Sequence, residues 1–252
     1  MPRPQIENCC VHVTHRCHRR QFLLDTDIDR KQYVKRLWEA KTRFTRVRIL
    51  NYCVTSNHVH LLVWSPRMSD LSEMMKWLHG TFAGDYNRRH RREGAFWSGR
   101  FHSTLVQTGP HLQRCLFYLD MNMVRTRVVS HPGEWKCGGH HELAGTRKRY
   151  RIIDFSCLLS CLGLRDEAAF SDWYAGTLNN LCRLPVQPAE PFWDKAFAVG
   201  DKSWLQKLAG NDTDVDDLIA PADSGGAASE QSTWYLQATQ GVLNRLKRHL
   251  SD

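Results

Sequence analysis

Asn57-His58-Val59-His60-Leu61-Leu62-Val63 places two histidines either side of one apolar residue, inside a run with strand character. Successive side chains of a strand point to opposite faces, so His58 and His60 share one face while Val59 enters the other layer. The apolar run Val59 to Trp64 follows a similar run, Val47 to Val54, across the turn Thr55-Ser56-Asn57, and the pair predicts a hairpin. Two imidazoles on one strand face suit a divalent metal. A nucleophile and a third ligand would make that face an active site.

Upstream, Cys9 to Thr14 alternates towards β character, and a basic loop follows, His15-Arg16-Cys17-His18-Arg19-Arg20. Asp27-Ile28-Asp29-Arg30 opens a helix with Asp as its cap. Tyr33, Val34, Leu37 and Trp38 then recur at helical period along one face. Downstream, Leu71 to Tyr86 predicts a second helix, with Leu71, Met74, Met75, Leu78 and Phe82 on its apolar side. A basic loop over 87–94, an aromatic cluster from Ala95 to His102 and a short strand, Thr104-Leu105-Val106, come next. Pro110, tolerated in a first turn, starts a third helix that runs to about Val124. The order β-α-β-β-α-β, then a helix, predicts an α+β fold: a ferredoxin-like, split βαβ antiparallel sheet with helices on one face.

This arrangement accounts for residues 1–150, expected as one domain; residues 151–252 are expected as a mainly helical C-terminal extension. Ile153 to Leu162 and Glu167 to Leu181 have helical pattern, and Phe192 to Leu208 predicts one or two short helices. The stretch at about 211–232 is rich in Asp, Ser, Gly and Ala and predicts a flexible acidic linker. Thr233 to Leu250 predicts a terminal amphipathic helix. Such an extension could pack on the first domain, gate a groove or form a dimer surface.

Charge divides the chain in the same place. Residues 1–150 hold 26 Lys and Arg against 12 Asp and Glu, and residues 151–252 hold 9 against 14. Twelve of the thirteen histidines also fall in the first part. A basic first domain points to a polyanion, nucleic acid above all. Nine scattered cysteines include no C-x-x-C pair, which speaks against a zinc module and for reduced, mostly buried thiols. No apolar run has the length of a membrane span, and the first residues lack the apolar core of a signal peptide. A cytoplasmic protein with no membrane partner is expected.

The third helix supplies what the histidine pair lacks. Tyr118 and Asn122 stand four residues apart and share one helical face. Tyr118 is a candidate nucleophile, with Tyr86 as its rival, and Asn122 offers an amide oxygen as a hard ligand. Two imidazoles and one oxygen leave positions open for phosphate oxygens and suit Mg²⁺ or Mn²⁺. His12, His15 and His18 could form a separate metal cluster, although loop histidines near DNA are the commoner case.

His58-Val59-His60, with a tyrosine 60 positions beyond His58, resembles the HUH single-tyrosine (Y1) transposases of the IS200-like superfamily. Within them the chain is most similar to the REP-associated tyrosine transposases. Tyr118-Leu119-Asp120-Met121-Asn122-Met123-Val124-Arg125 resembles the end of their tyrosine helix, as Gly94-Ala95-Phe96-Trp97 and Phe101-His102 resemble a second motif. Met123 stands where that family usually has Pro, and Thr126-Arg127 where it has Ala-Gly. The resemblance covers about residues 8–145. It implies a bacterial, nucleoid-associated endonuclease and strand transferase, with Tyr118 as nucleophile and a metal on His58, His60 and Asn122. Tyr118 would form a 5′-phosphotyrosine and free a 3′-OH, and a 3′-OH could later rejoin the strand without ATP. It also implies hairpin DNA from palindromic repeats as the ligand of a monomer or homodimer.

A strand-and-helix site must reach a phosphate with no duplex in the way, so single-stranded DNA is expected. Arg16, Arg19, Arg20, Arg88, Arg89, Arg91, Arg92 and Arg100 are the candidate phosphate contacts. Trp97, with Phe96 and Phe101, could stack bases. The alternative is a catalytically idle protein that keeps the fold and binds or represses repeat elements.

Overall fold

Residue pairing across the central strands sets out the two faces of the sheet. The computed structural model describes residues 6–186, 188–209, 218–222 and 232–237. Strand β1 (Glu7–Arg16) leads through α1 (Asp27–Arg43) to a hairpin of β2 (Arg48–Val54) and β3 (His58–Arg67). Helix α2 (Met68–His90) and β4 (His102–Val106) complete the β-α-β-β-α-β unit. The chain continues through α3 (Pro110–Asp120), α4 (Asn122–Arg125), α5 (His140–Leu143), α6 (Phe155–Leu162) and α7 (Glu167–Arg183). It ends, among the described residues, with α8 (Phe192–Lys195), β5 (Ala196–Gly200), α9 (Lys202–Leu208), β6 (Ile219–Pro221) and β7 (Trp234–Gln237).

The sheet order is β2-β3-β1-β4-β5-β7-β6. β1 lies antiparallel between β3 and β4, with Thr14 opposite His60 and His102, and Arg16 opposite His58. Directly opposed residues share a face, so His12, Thr14, Arg16, His58, His60, His102 and Thr104 line one side. Val11, Val13 and His15 take the other.

Helices α1 and α2 cover that second side. Thr26 caps α1 by accepting from Asp29 N at 3.1 Å. Tyr33 and Leu37 of α1 and Leu71, Met75, Leu78 and Phe82 of α2 are buried in the core. The polar members of this layer are paired in one chain. His15 Nε2–H donates to Gly99 O at 3.1 Å, which leaves His15 Nδ1 to accept from His79 Nδ1–H at 2.6 Å. His79 Nε2 then accepts from the Tyr33 hydroxyl at 2.9 Å. Burial pushes the His79 pKa well below the usual imidazole range, with His15 adding to the effect.

Helix α3 covers the histidine side. It starts after Gly109, whose φ of 75° a β-carbon would strain, with Pro110 in its first turn. Asn51 of β2 fastens its far end, donating from Nδ2 to Leu116 O at 3.2 Å and to Asp120 Oδ1 at 3.0 Å. Tyr174 of α7 donates to the other oxygen of Asp120 at 2.8 Å. Burial raises the Asp120 pKa to about 7.

Beyond residue 150 the expected helices are present as α6 and α7, each capped by an aspartate, Asp154 and Asp166. Three strands there depart from the expectation. The predicted short helices over Phe192 to Leu208 are interrupted by β5, which pairs parallel with β4 (Leu105 opposite Ala198). The expected linker contains β6, and the expected terminal helix begins instead as β7, which pairs with both β5 and β6. Residues 238–252, the rest of that predicted helix, and most of the predicted linker lie outside the described residues. Ala198, Val199 and Leu236 are fully buried in this added part of the sheet. An alternation of apolar residues this short does not separate strand from helix in a sequence.

Two outcomes test this packing. Gly139 backs onto Asn51: a β-carbon there would overlap Asn51 Oδ1 and crowd Ile153, whereas one at Gly138 would meet only ordinary contacts. Gly139→Ala should cost about 1–3 kcal/mol in urea unfolding and Gly138→Ala much less. For His79, the folded pKa lies below the unfolded one, so its stability contribution is complete above about pH 6.5 and is lost as pH falls towards the folded pKa. The slope contributed by one such proton is at most about 1.4 kcal/mol per pH unit. Wild type should lose stability on acidification from pH 6.5, and His79→Gln should lose less, as read from paired thermal melts.

Candidate active site

The face set out by β1 and β3 meets α3 and α4 at His60. Tyr118 sits in the last turn of α3, and Met121 joins α3 to α4 so that Asn122 comes one turn further on. The Tyr118 ring lies 6.0 Å, centroid to centroid, from both His60 and His12, edge to face in each case. Asn122 Nδ2 stands 3.2 Å from His60 Nε2. His58 meets His60 edge to face at 4.6 Å. The four residues singled out by sequence are therefore neighbours around one point.

Tautomers follow from the partners. Trp193 O, 3.0 Å away, can only accept, so His12 Nδ1 carries the proton and His12 Nε2 a lone pair. His60 Nδ1–H donates to that lone pair at 2.9 Å and leans towards Thr14 Oγ1 at 3.3 Å. His60 Nε2 is left as the lone pair facing Asn122. His58 Nδ1 is held by Asn57 Oδ1 at 2.6 Å and Thr55 Oγ1 at 2.9 Å, which turns its Nε2 outward from that turn. Burial lowers all three imidazoles, His12 and His58 to about 4 and His60 well below its usual value. Neutral imidazoles are the form that binds metal.

These donors fit a divalent ion. Asn122 is 6% exposed, yet its Oδ1 has no hydrogen-bond partner. A buried amide oxygen left unpaired costs free energy unless something electropositive reaches it, and a half-turn of the amide exchanges its two ends beside His60 Nε2. His58, His60 and Asn122 would hold such an ion. A second grouping also exists: single ligand atoms of His12, His60 and Asp194 lie within 4.8 Å of one another.

Asp194 is not among the residues the sequence singles out, and His12 falls there in a different grouping. Asp194 comes from α8, with Oδ1 accepting from Thr14 Oγ1 at 2.9 Å and Oδ2 from Arg16 at 2.7 Å. No local pattern around Asp194 marks it. His12 was grouped with His15 and His18, but an odd spacing on one strand sends His12 and His15 to opposite faces, and that signal was readable. The rival nucleophile Tyr86 lies on α2, across the sheet, packed against Phe96 and His90.

The candidate nucleophile is enclosed. Tyr118 is 7% exposed, and burial, followed by the charge of Asp194, pushes its hydroxyl pKa above the usual phenol value. Arg125 opposes this. Its guanidinium lies 4.1 Å over the Tyr118 ring and donates to Tyr118 O at 3.1 Å. A cavity of about 400 Å³ adjoins the ring, with Arg114, Phe117, Arg125, Trp173 and Leu181 in its wall.

The expected DNA contacts fall into groups. Arg19, Arg20 and Arg91 are exposed with positive φ, on loops at the end of β1 and after α2. Arg100 is exposed as well. Arg16 is tied to Asp194, Arg88 to Asp85 and Arg89 to Asp29. Arg92 braces its own loop through Asn87 and the carbonyl of Ala95. Trp97 stacks on His15 at 4.5 Å and Phe96 is buried, so both rings serve the α1–α2 layer.

Residues 5–121, a little under half of the chain, match the family described as transposase IS200 like. No curated protein matches the chain significantly. Among solved structures it is similar to a REP-associated tyrosine transposase bound to a REP hairpin, at 19% identity and a TM-score of 0.46, covering 60% of this chain and 88% of that one. It is also similar to a protein from Deinococcus radiodurans R1 assigned as a transposase, at 15% identity and a TM-score of 0.35, covering 48% and 95%. No helix among the described residues is long and apolar enough to cross a membrane.

Arg125 gives the prediction of this geometry. Replacing it by Met removes the cation stacked on the Tyr118 ring, and with it a charge that lowers the hydroxyl pKa. Loss of that lowering leaves less phenolate, so formation of a covalent DNA adduct through Tyr118 should slow. Rapid-quench measurement of adduct yield, with a melt to show the fold intact, checks it.

Proposed function

We propose that this protein cleaves and rejoins single-stranded DNA beside hairpins of palindromic repeats, with Tyr118 as the nucleophile. One observation carries the reading: Tyr118 packs against His60 where Nε2 of that ring meets the side-chain amide of Asn122, whose buried oxygen has no hydrogen-bond partner. In cleavage, Tyr118 Oη bonds to phosphorus and the P–O3′ bond breaks. The proton of the hydroxyl passes to water or base, and the leaving oxygen becomes a 3′-OH. The 5′ end stays on the tyrosine as a phosphodiester, so attack by a 3′-OH reverses the step and regenerates the hydroxyl. Mg²⁺ or Mn²⁺, when bound, would draw charge from the non-bridging phosphate oxygens.

The chain's own residues do the rest. His58, His60 and Asn122 supply neutral donors. Arg125 offsets negative charge at Tyr118. Burial of the site excludes competing water from the covalent intermediate. Arg19, Arg20, Arg91 and Arg100 lie on the exposed loops and would track the DNA backbone, each phosphate contact adding to the salt dependence of binding.

A second reading is a binding protein that no longer cleaves. The raised pKa of an enclosed Tyr118 and the engagement of Arg16 by Asp194 favour it. One assay separates the two. Single-stranded repeat DNA incubated with Mg²⁺ or Mn²⁺ should give an adduct stable to denaturation with wild type, and none with Tyr118→Phe. An adduct that persists in Tyr118→Phe shows another nucleophile. Hairpin binding without any adduct in wild type supports the binding protein.

A further inference from the structure

The segment that reaches His60 from behind comes from beyond the family match, which ends at residue 121. It is held firmly. Thr104 Oγ1 is 3.0 Å from Trp193 O and 2.9 Å from Ala196 O, β5 pairs with β4, and Trp193 is fully buried. Trp193 also packs on the Tyr118 ring at 5.8 Å and donates from its indole to Glu190. Two atoms of this segment then act on the same imidazole. The Trp193 carbonyl sets the tautomer of His12, and His12 Nε2 in turn accepts the Nδ1 proton of His60. Asp194 accepts from the Thr14 hydroxyl, which leaves the Thr14 lone pairs for that same Nδ1–H. Arg16 holds the second oxygen of Asp194 in place.

From this network we infer that Trp193 and Asp194 of the C-terminal extension are positioning residues for the metal centre. Through His12 and Thr14 they fix the proton of His60 on Nδ1 and so present the Nε2 lone pair to the ion beside Asn122. The inference rests on the metal-dependent reading of the site given above. Metal-bound histidines commonly donate their other ring N–H to such a partner, and loss of the partner weakens metal binding by roughly 10–100-fold. Direct ligation by His12 and Asp194 is geometrically open to the same cluster, but it would require His60 Nδ1 to give up the proton that two acceptors now share.

The test uses the full chain carrying Tyr118→Phe, with Mn²⁺ alone as probe and free Mn²⁺ read by electron paramagnetic resonance. Asp194→Ala should weaken Mn²⁺ binding by roughly 10-fold or more. Thr14→Val, nearly isosteric, should do the same without disturbing the Asp194–Arg16 pair. The double variant should be no weaker than either single one, because both break one relay. Additive losses, or unchanged affinity in folded single variants, would overturn the inference. So would a collapse of binding beyond roughly a thousandfold on Asp194→Ala, well outside the effect of a partner behind the ligand and the mark of direct ligation. Tighter binding on Asp194→Ala would instead show that Asp194 with Arg16 blocks the site, and would also overturn it. Absence of Mn²⁺ binding in the parent protein would strike at the metal-dependent reading itself, and so is distinguishable from failure of the relay.

Discussion

A neutral imidazole buried to 0% exposure is tolerated only if both of its nitrogens find partners, and His60 is that imidazole. Its Nδ1 proton is taken by β1, through His12 and Thr14, and its Nε2 faces α4, through Asn122. Three elements distant in sequence are thereby pinned to one ring. β3 must pair with β1 in the register that sets Thr14 opposite His60, because a slip of one residue would turn every side chain to the other face. Helix α3 must end where Asn51 and Tyr174 grip Asp120, because that end sets the position of Asn122. The site is in this sense the point at which the packing of both layers is decided.

The two faces of β1 solve the same problem differently. On one side His15, His79 and Tyr33 close their hydrogen bonds among themselves and with the carbonyl of Gly99. Nothing in that chain is left over, and its role is complete as structure. On the other side His12, His60, Thr14 and Asp194 form a comparable chain that runs through His60 Nε2 to the Asn122 amide and ends at its unpaired oxygen. A buried network that remains open at one point is costly as structure, and a cation offsets that cost. The contrast between a closed network and an open one distinguishes core histidines from candidate ligands within a single strand.

Much of this was legible in the sequence. The period of two through His58-Val59-His60, the short turn before it and the helical spacing of Tyr118 and Asn122 are local patterns, and local patterns survive in a lone sequence. The α+β order of the first six elements follows from them. What was not legible depends on pairing between distant segments. The register of β1 on β3 brings His12 to His60, and the parallel pairing of β5 with β4 brings Asp194 to Thr14. Neither leaves a trace in the residues near it. Ala196 to Gly200 is also too short and too uniformly apolar to declare itself a strand. In the aromatic cluster, Phe96 and Trp97 look suited to stacking bases, and in the fold they pack on Phe82, Tyr86 and His15.

The electrostatics of the chain take on a different meaning once Asp194 is placed. As composition, the basic first part and acidic second part suggest one surface that binds DNA and another that does not. In the fold, acids of the second part return to bases of the first: Asp194 to Arg16, Glu190 to Arg114 and Asp154 to Arg48. The later segments are joined to the first by charge as well as by strand pairing. Phosphate approaching Tyr118 would meet Arg16 already neutralised and Arg125 still stacked on the ring. The balance at the Tyr118 hydroxyl is thus set by residues on both sides of the boundary, with Asp194 raising its pKa and Arg125 lowering it.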